Sequence, residues 1–181
     1  FDTNSVDLIM PSVICENEDF ILDINVNGPR LSSVDWKIGG QSFNSNPIDI
    51  QLSSAGTFDV EVILENIYGC FSTETIYDAI EVKKMPNAAF YQLNSELSEI
   101  NNLAWFKPKN QHYKIYTWDF DDGFYSNALE PMHSYEEVGV YYPSLQVTNE
   151  FGCSDVYTKE INIESDYTLW IPNTFTPNGD G

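Results

Sequence analysis

The sequence repeats itself. "VDWKIGG" at 34–40 returns as "YTWDFDDG" at 116–123, "AGTFDVEVILENIYGC" at 55–70 returns as "VGVYYPSLQVTNEFGC" at 138–153, and "AIEV" at 79–82 returns as "EINI" at 160–163. Gly56 stands as far ahead of Cys70 as Gly139 stands ahead of Cys153. Three anchors in one order, offset by about 82 residues, mark a tandem duplication, so each copy must build its own core from roughly 80 residues.

The period of the apolar residues says what each copy is made of. Phe20, Leu22, Ile24 and Val26 alternate, as do Val34, Trp36 and Ile38, and then Phe58, Val60, Val62 and Leu64. In the second copy Tyr116, Trp118 and Phe120 alternate, and Tyr141, Pro143, Leu145 and Val147 take the places of the Phe58–Leu64 set. A period of two buries one face of a strand, and no segment shows a comparable helical period. Pro143 cannot donate to a ladder, which places it at the exposed or starting side of a strand. Short strands, turn residues between them and a Trp in the middle strand predict an all-β chain of two tandem immunoglobulin-like β-sandwiches. The same parity points Trp36 and Trp118 inward, as core rather than as sugar-stacking rings. "KKMPNAAF" at 83–90 is the joint between the two.

With 42% hydrophobic and 14% aromatic residues among 181, the chain has material for packed cores. Its 28 Asp and Glu against 8 Lys and Arg give a formal charge of −20, which makes nucleic acid and anionic membrane poor partners. No run of 18 apolar residues occurs, and "FDTNSVDLIM" lacks the basic start and apolar centre of a signal peptide. Cys15, Cys70 and Cys153 form no CxxC pair, and their number leaves the redox compartment open.

The stretch "YTWDFDDGFYSNALEPMHSYEEVGVYYPSLQVTNEFGC" resembles a PKD domain, whose pattern runs Trp-Asp-Phe-Gly-Asp-Gly, Pro-x-His-x-Tyr, Gly-x-Tyr and Val-Thr-Asn-x-x-Gly-Cys. The likeness covers 85–165, with Asp121 where the pattern has Gly. Residues 1–84 keep the Trp, the Ala-Gly-x-Phe and the Asn-x-x-Gly-Cys but lose the acidic turn and the His, and read as a divergent PKD or Ig-like module. The last stretch, "WIPNTFTPNGDG", closes on the turn formers Pro177, Asn178, Gly179, Asp180 and Gly181, an unusual place for a chain to stop. Ile171, Pro172, Asn173, Phe175, Thr176, Pro177, Asn178, Gly179, Asp180 and Gly181 resemble the opening of the gliding motility-associated C-terminal domain, a type B sorting signal of type IX secretion. Residues 166–181 are then expected to begin a third, truncated domain rather than to complete either sandwich.

That resemblance implies an outer-membrane-associated, extracellular position at the cell surface, with the type IX translocon and a PorP/SprF-type outer-membrane barrel as partners. Tandem modules ahead of such a signal are the usual ending of large surface proteins of gliding bacteria, the adhesin SprB among them. On this reading the chain is a non-enzymatic stalk serving gliding motility and attachment. An immunoglobulin-like layout and export to an oxidising surface also lead to an expected Cys15–Cys70 disulfide. The second copy has serines near the position of Cys15, so Cys153 is expected to stay free.

Chemistry-bearing residues are sparse. Asp119, Asp121 and Asp122 form the densest carboxylate cluster and are weak calcium candidates. Gly123 and Phe124 break the EF-hand pattern, despite Glu130 at its twelfth place, and the alternative is a turn whose aspartates bond the backbone. No other cofactor is indicated. His133 would need an aspartate and a nucleophile such as Ser126 or Ser134 to act as a base, and neither a Gly-x-Ser-x-Gly elbow nor a His-Glu-x-x-His pair is present. His133 is expected to hydrogen-bond and pack beneath the Trp118 hairpin, while His112 lies in the loop "KPKNQHYK". No catalytic residue is assigned. The rival to the stalk is a carbohydrate-binding accessory module of a secreted hydrolase, which calls for an exposed aromatic platform contacting a surface polysaccharide. Its candidates are Tyr91, Trp105 and Phe106.

Overall fold

The computed structural model describes residues 6–26, 30–94 and 96–166, and these are strands and connections with no helix among them. The chain divides into two compact units, Phe1–Pro86 with Thr148–Ser154, and Asn87–Val147 with Asp155–Gly181. From Tyr167 on, the expected third domain lies outside the described residues.

The first unit holds β1 (Val6–Ile9), β2 (Val13–Cys15), β3 (Asp19–Val26), β4 (Leu31–Ile38), β5 (Gln41–Phe43), β6 (Ile48–Gln51), β7 (Gly56–Asn66) and β8 (Phe71–Lys83). They form two sheets, in the orders β1-β3-β6 and β2-β8-β7-β4-β5. The alternation read from the sequence becomes cross-strand pairs: Val34 faces Leu64, Trp36 faces Val62 and Ile38 faces Val60, all six buried. With Leu22, Ile48, Ile50 and Ile80 they make one apolar cluster, the contact that holds two half-polar sheets together. Trp36 is fully buried.

The second unit holds β9 (Phe90–Gln92), β10 (Leu97–Ser98), β11 (Leu103–Pro108), β12 (Ile115–Asp119), β13 (Tyr125–Ser126), β14 (Met132–Ser134), β15 (Gly139–Tyr141), β16 (Ser144–Thr148), β17 (Ser154–Thr158) and β18 (Ile161–Glu164). Its sheets run β13-β12-β16-β17, β14-β11-β9 and β10-β18-β15. Aromatic rings fill the interior: Trp118 meets Phe90 at 5.0 Å and Phe106 at 5.6 Å, and Phe106 stacks on Phe120 at 5.7 Å. Edge and offset contacts of this kind add to the burial each ring already contributes. Pro143 stands just ahead of β16, but it is fully buried rather than on an exposed edge.

The two copies share two backbone devices that explain their repeated glycines. Gly56 and Gly139, at φ 150° and 155°, begin β7 and β15 in a conformation open only to glycine. The Asn-x-x-Gly-Cys stretch is a side-chain-capped turn. Asn66 Oδ1 accepts from the N–H groups of Tyr68 (2.9 Å) and Cys70 (3.1 Å), and Asn149 Oδ1 accepts from those of Phe151 (3.0 Å) and Cys153 (3.0 Å). Gly69 and Gly152 take the left-handed residue of each turn.

The disulfide expectation is overturned. Cys15 bonds Cys153, with Cα atoms 5.7 Å apart, and Cys70 is the free and exposed cysteine. The reason is the length of β8. Cys15 lies on β2 beside Lys83, the last residue of β8, whereas Cys70 immediately precedes Phe71, the first. Thirteen extended residues separate the two ends by roughly 40 Å, far beyond disulfide reach. Cys153 closes the 148–154 turn, which belongs to the first unit together with Cys15.

Candidate functional site

The acidic stretch folds into the turn that its residue types favour. Asp119 Oδ1 accepts from the Asp121 N–H at 2.9 Å, Asp122 Oδ1 from the Phe124 N–H at 3.2 Å, and Asp121 Oδ2 from the Tyr142 N–H at 2.9 Å. Asp121 has φ 66°, a left-handed conformation that explains why a glycine serves there and why an aspartate is tolerated. These carboxylates are occupied by backbone donors rather than aimed at a common point. Among the described residues no group of three or more His, Cys, Asp or Glu is placed to hold a metal ion, so the calcium candidates Asp119, Asp121 and Asp122 are not brought together as ligands.

His133 is reached by the same turn. Its Nε2 lies 2.6 Å from Asp122 Oδ2, and its ring stacks on Phe120 with centroids 4.1 Å apart. Tyr135 stands edge-on to it at 4.7 Å and donates its buried hydroxyl to the Phe120 carbonyl at 3.1 Å. Burial first, and the charge of Asp122 second, push the Tyr135 phenol well above its ordinary range. Neither serine completes a nucleophile–base pair: Ser134 Oγ donates to Asn102 Oδ1, and Ser126 Oγ accepts from the Ala128 N–H. The ring of His133 thus braces the hairpin beneath Trp118, whose Nε1 donates to the Ala128 carbonyl at 3.0 Å. His112 is exposed in its loop.

The outward face of β9, β11 and β14 is of a different kind. Lys107 pairs with Tyr91 and Trp105 with Met132, and Leu93 donates its N–H to the Trp105 carbonyl. Directly paired residues share a face, which puts Leu93, Trp105 and Met132 in a row across three strands with Tyr91 one step along. Trp105 is 47% exposed, Tyr91 53% and Met132 62%. A shallow depression of about 470 Å³ beside Trp105 is lined by Leu93, Asn94, Asn101 and Leu103. Asn94 fixes its rim, donating to the Leu103 carbonyl at 2.6 Å and accepting from the Trp105 N–H at 3.0 Å. Of the three aromatic candidates, Tyr91 and Trp105 share this face, while Phe106 is a correction: it is 1% exposed and lies in the core. Leu93, Leu103 and Met132 went unassigned, although the odd-numbered parity of "LAWFKP" groups Leu103 with Trp105.

Trp118, the acidic turn, His133 and Tyr135 all lie in one stretch of the second unit. Residues 86–164 match the PKD domain family. Over 154 residues the chain is 28% identical to the collagenase ColA of Clostridium perfringens, a match that covers 83% of this chain and 13% of that protein's length. The PKD1 domain of Vibrio anguillarum Epp is 26% identical, with a TM-score of 0.37, over 45% of this chain and 95% of that one. The Ca²⁺-stabilized adhesin that helps an Antarctic bacterium reach out and bind ice aligns at a TM-score of 0.50 and 11% identity, over 90% of this chain and 49% of that one. That last likeness concerns the fold alone. Within residues 86–164 the acidic turn and His133 serve the architecture, which leaves the Trp105 face as the candidate for contact with something else.

Proposed function

We propose that the chain is a non-catalytic stalk segment of a large cell-surface adhesin exported by the type IX secretion system, acting in attachment and gliding motility. The observation that carries this reading is an adjacency: the PKD module ends at residue 164, and the sorting-signal-like residues Ile171–Gly181 follow a few positions later. The interior of each unit is filled by its own side chains, which suits a spacer that resists extension better than an enzyme that needs a polar cleft. Its partners are then the type IX translocon and a PorP/SprF-type outer-membrane barrel, with the stalk holding distal adhesive regions away from the outer membrane.

The test is surface display. A fluorescent reporter fused ahead of residues 85–181 is expressed in a gliding bacterium with and without its PorP/SprF-type barrel. The expected result is a protease-accessible reporter on the surface of the first strain only. A reporter retained inside both strains, or displayed equally by both, sinks the reading. The rival role, a carbohydrate-binding accessory module of a secreted hydrolase, is favoured by one observation, the exposure of Tyr91 and Trp105 on one sheet face.

A further inference from the structure

The outward face of β9, β11 and β14 breaks the usual rule that a sheet is apolar inside and polar outside. Trp105 stands at its centre with Leu93 on one side and Met132 on the other, and Tyr91 lies on the diagonal, about 7–8 Å from Trp105. Scattered apolar side chains on a surface need no explanation, but a contiguous set on one sheet face marks a contact site.

Charge narrows the occupant. The chain carries −20, so a polyanion approaches against its field. The face itself holds almost none of that charge. No Asp or Glu lies on β9, β11 or β14; Glu130, just ahead of β14, is bound by Lys107 at 2.9 Å, and the ammonium of Lys109 lies over the Tyr91 ring at 5.1 Å. A cationic partner would be drawn to the acidic remainder of the surface instead. What fits is an uncharged molecule with C–H faces to lie on aromatic rings and hydroxyl groups to reach a polar rim.

The rim is present. Asn94 and Asn101 edge the depression beside Trp105, and among the described residues each uses only part of its hydrogen-bonding capacity, Asn101 donating one N–H to the Glu96 carbonyl. Asn94 also holds β11 in place from both sides of Trp105, so the ring is presented by a fixed backbone. We propose that this face binds a neutral polysaccharide, with one sugar ring stacked on Trp105 and a neighbouring ring toward Tyr91. The proposal deepens the carbohydrate-binding reading by naming its residues and ligand class. It holds equally for a stalk, because surface display tests export and is silent about sugar.

Affinity electrophoresis of the 181-residue chain through gels holding hydroxyethylcellulose, xylan or galactomannan, with alginate as the polyanionic control, tests it. The expected result is retardation by at least one neutral polymer and none by alginate. Trp105→Ala should weaken that retardation by at least ~10-fold and Tyr91→Ala by several-fold, Trp105→Phe should retain most of it, and Tyr77→Ala, an exposed tyrosine of the first unit, should leave it unchanged. Thermal melts establish that each variant is folded, and should Trp105→Ala fail that check, Tyr91→Ala and Trp105→Gln carry the comparison. Retardation by no neutral polymer, retardation by alginate, or binding indifferent to Trp105 and Tyr91 in folded variants overturns the proposal. So does concentration-dependent self-association that Trp105→Ala abolishes, which would give the face to a second copy of the chain.

Discussion

Trp36 and Trp118 occupy matching stations in the two units and are both fully buried, but they differ by one hydrogen bond. Trp118 Nε1–H donates to the Ala128 carbonyl, whereas Trp36 Nε1–H has no partner among the described residues. Truncation of either to Ala should cost about 3–5 kcal/mol through the cavity left behind. Replacement by Phe separates them, because Trp118→Phe discards a made bond and Trp36→Phe discards an unmet donor. Trp118→Phe should therefore be the more destabilising by about 1–3 kcal/mol, read from urea midpoints at constant m-value, and equal losses would contradict the assignment. Tyr135 supplies a pH test. Its phenol is held above the usual range, so its stabilising contribution is complete below pH ~10 and declines above it, by up to about 1.4 kcal/mol per pH unit. Tyr135→Phe should flatten that alkaline decline while costing about 1 kcal/mol at neutral pH for the lost bond to Phe120. An alkaline unfolding curve unchanged in Tyr135→Phe would assign the decline to other tyrosines.

Single elements show which parts of the structure can be read in the sequence. Period-two runs with one wet face, such as Val34–Ile38 against Val60–Leu64, placed strands and core residues directly, because burial on one face is what creates the alternation. The β11 strand could not be read the same way. With Leu103 and Trp105 on one parity and Ala104 and Phe106 on the other, both faces are apolar, and alternation no longer says which is inside. The cysteine pairing failed for another reason: nothing local to Cys15 or Cys70 reports that β8 runs for 13 residues between them. The Asn-x-x-Gly-Cys turn is the opposite case, a motif visible in both copies whose mechanism only the structure supplies. Asn149→Ala removes the acceptor of two backbone N–H groups and should destabilise the chain by about 1–3 kcal/mol, whereas Asn149→Asp keeps the oxygen and should cost less. Thermal unfolding of the two variants side by side checks the order.

For the molecule as a whole, the Cys15–Cys153 bond matters most under the tension that the proposed stalk role implies. The cysteines are 138 residues apart in sequence, so the bond closes a loop holding nearly all of both cores and limits the unfolded chain by about 5 kcal/mol in the entropy model. Its mechanical consequence follows from covalent connectivity alone. Tension applied between the two chain ends passes along the residues ahead of Cys15, across the two sulfurs and out beyond Cys153, while everything between is excluded from extension. Single-molecule pulling of the oxidised chain should therefore release only the contour of its two terminal stretches. Reduction, or Cys15→Ser, should add up to roughly 450–500 Å of extensible length, the span of the 138-residue separation at full extension. Alkylation of the folded, unreduced chain should label Cys70 alone, since it is the exposed free thiol. Equal contour lengths before and after reduction, or labelling at Cys153, would show that the bond is not made and that both sandwiches bear the load through their strands.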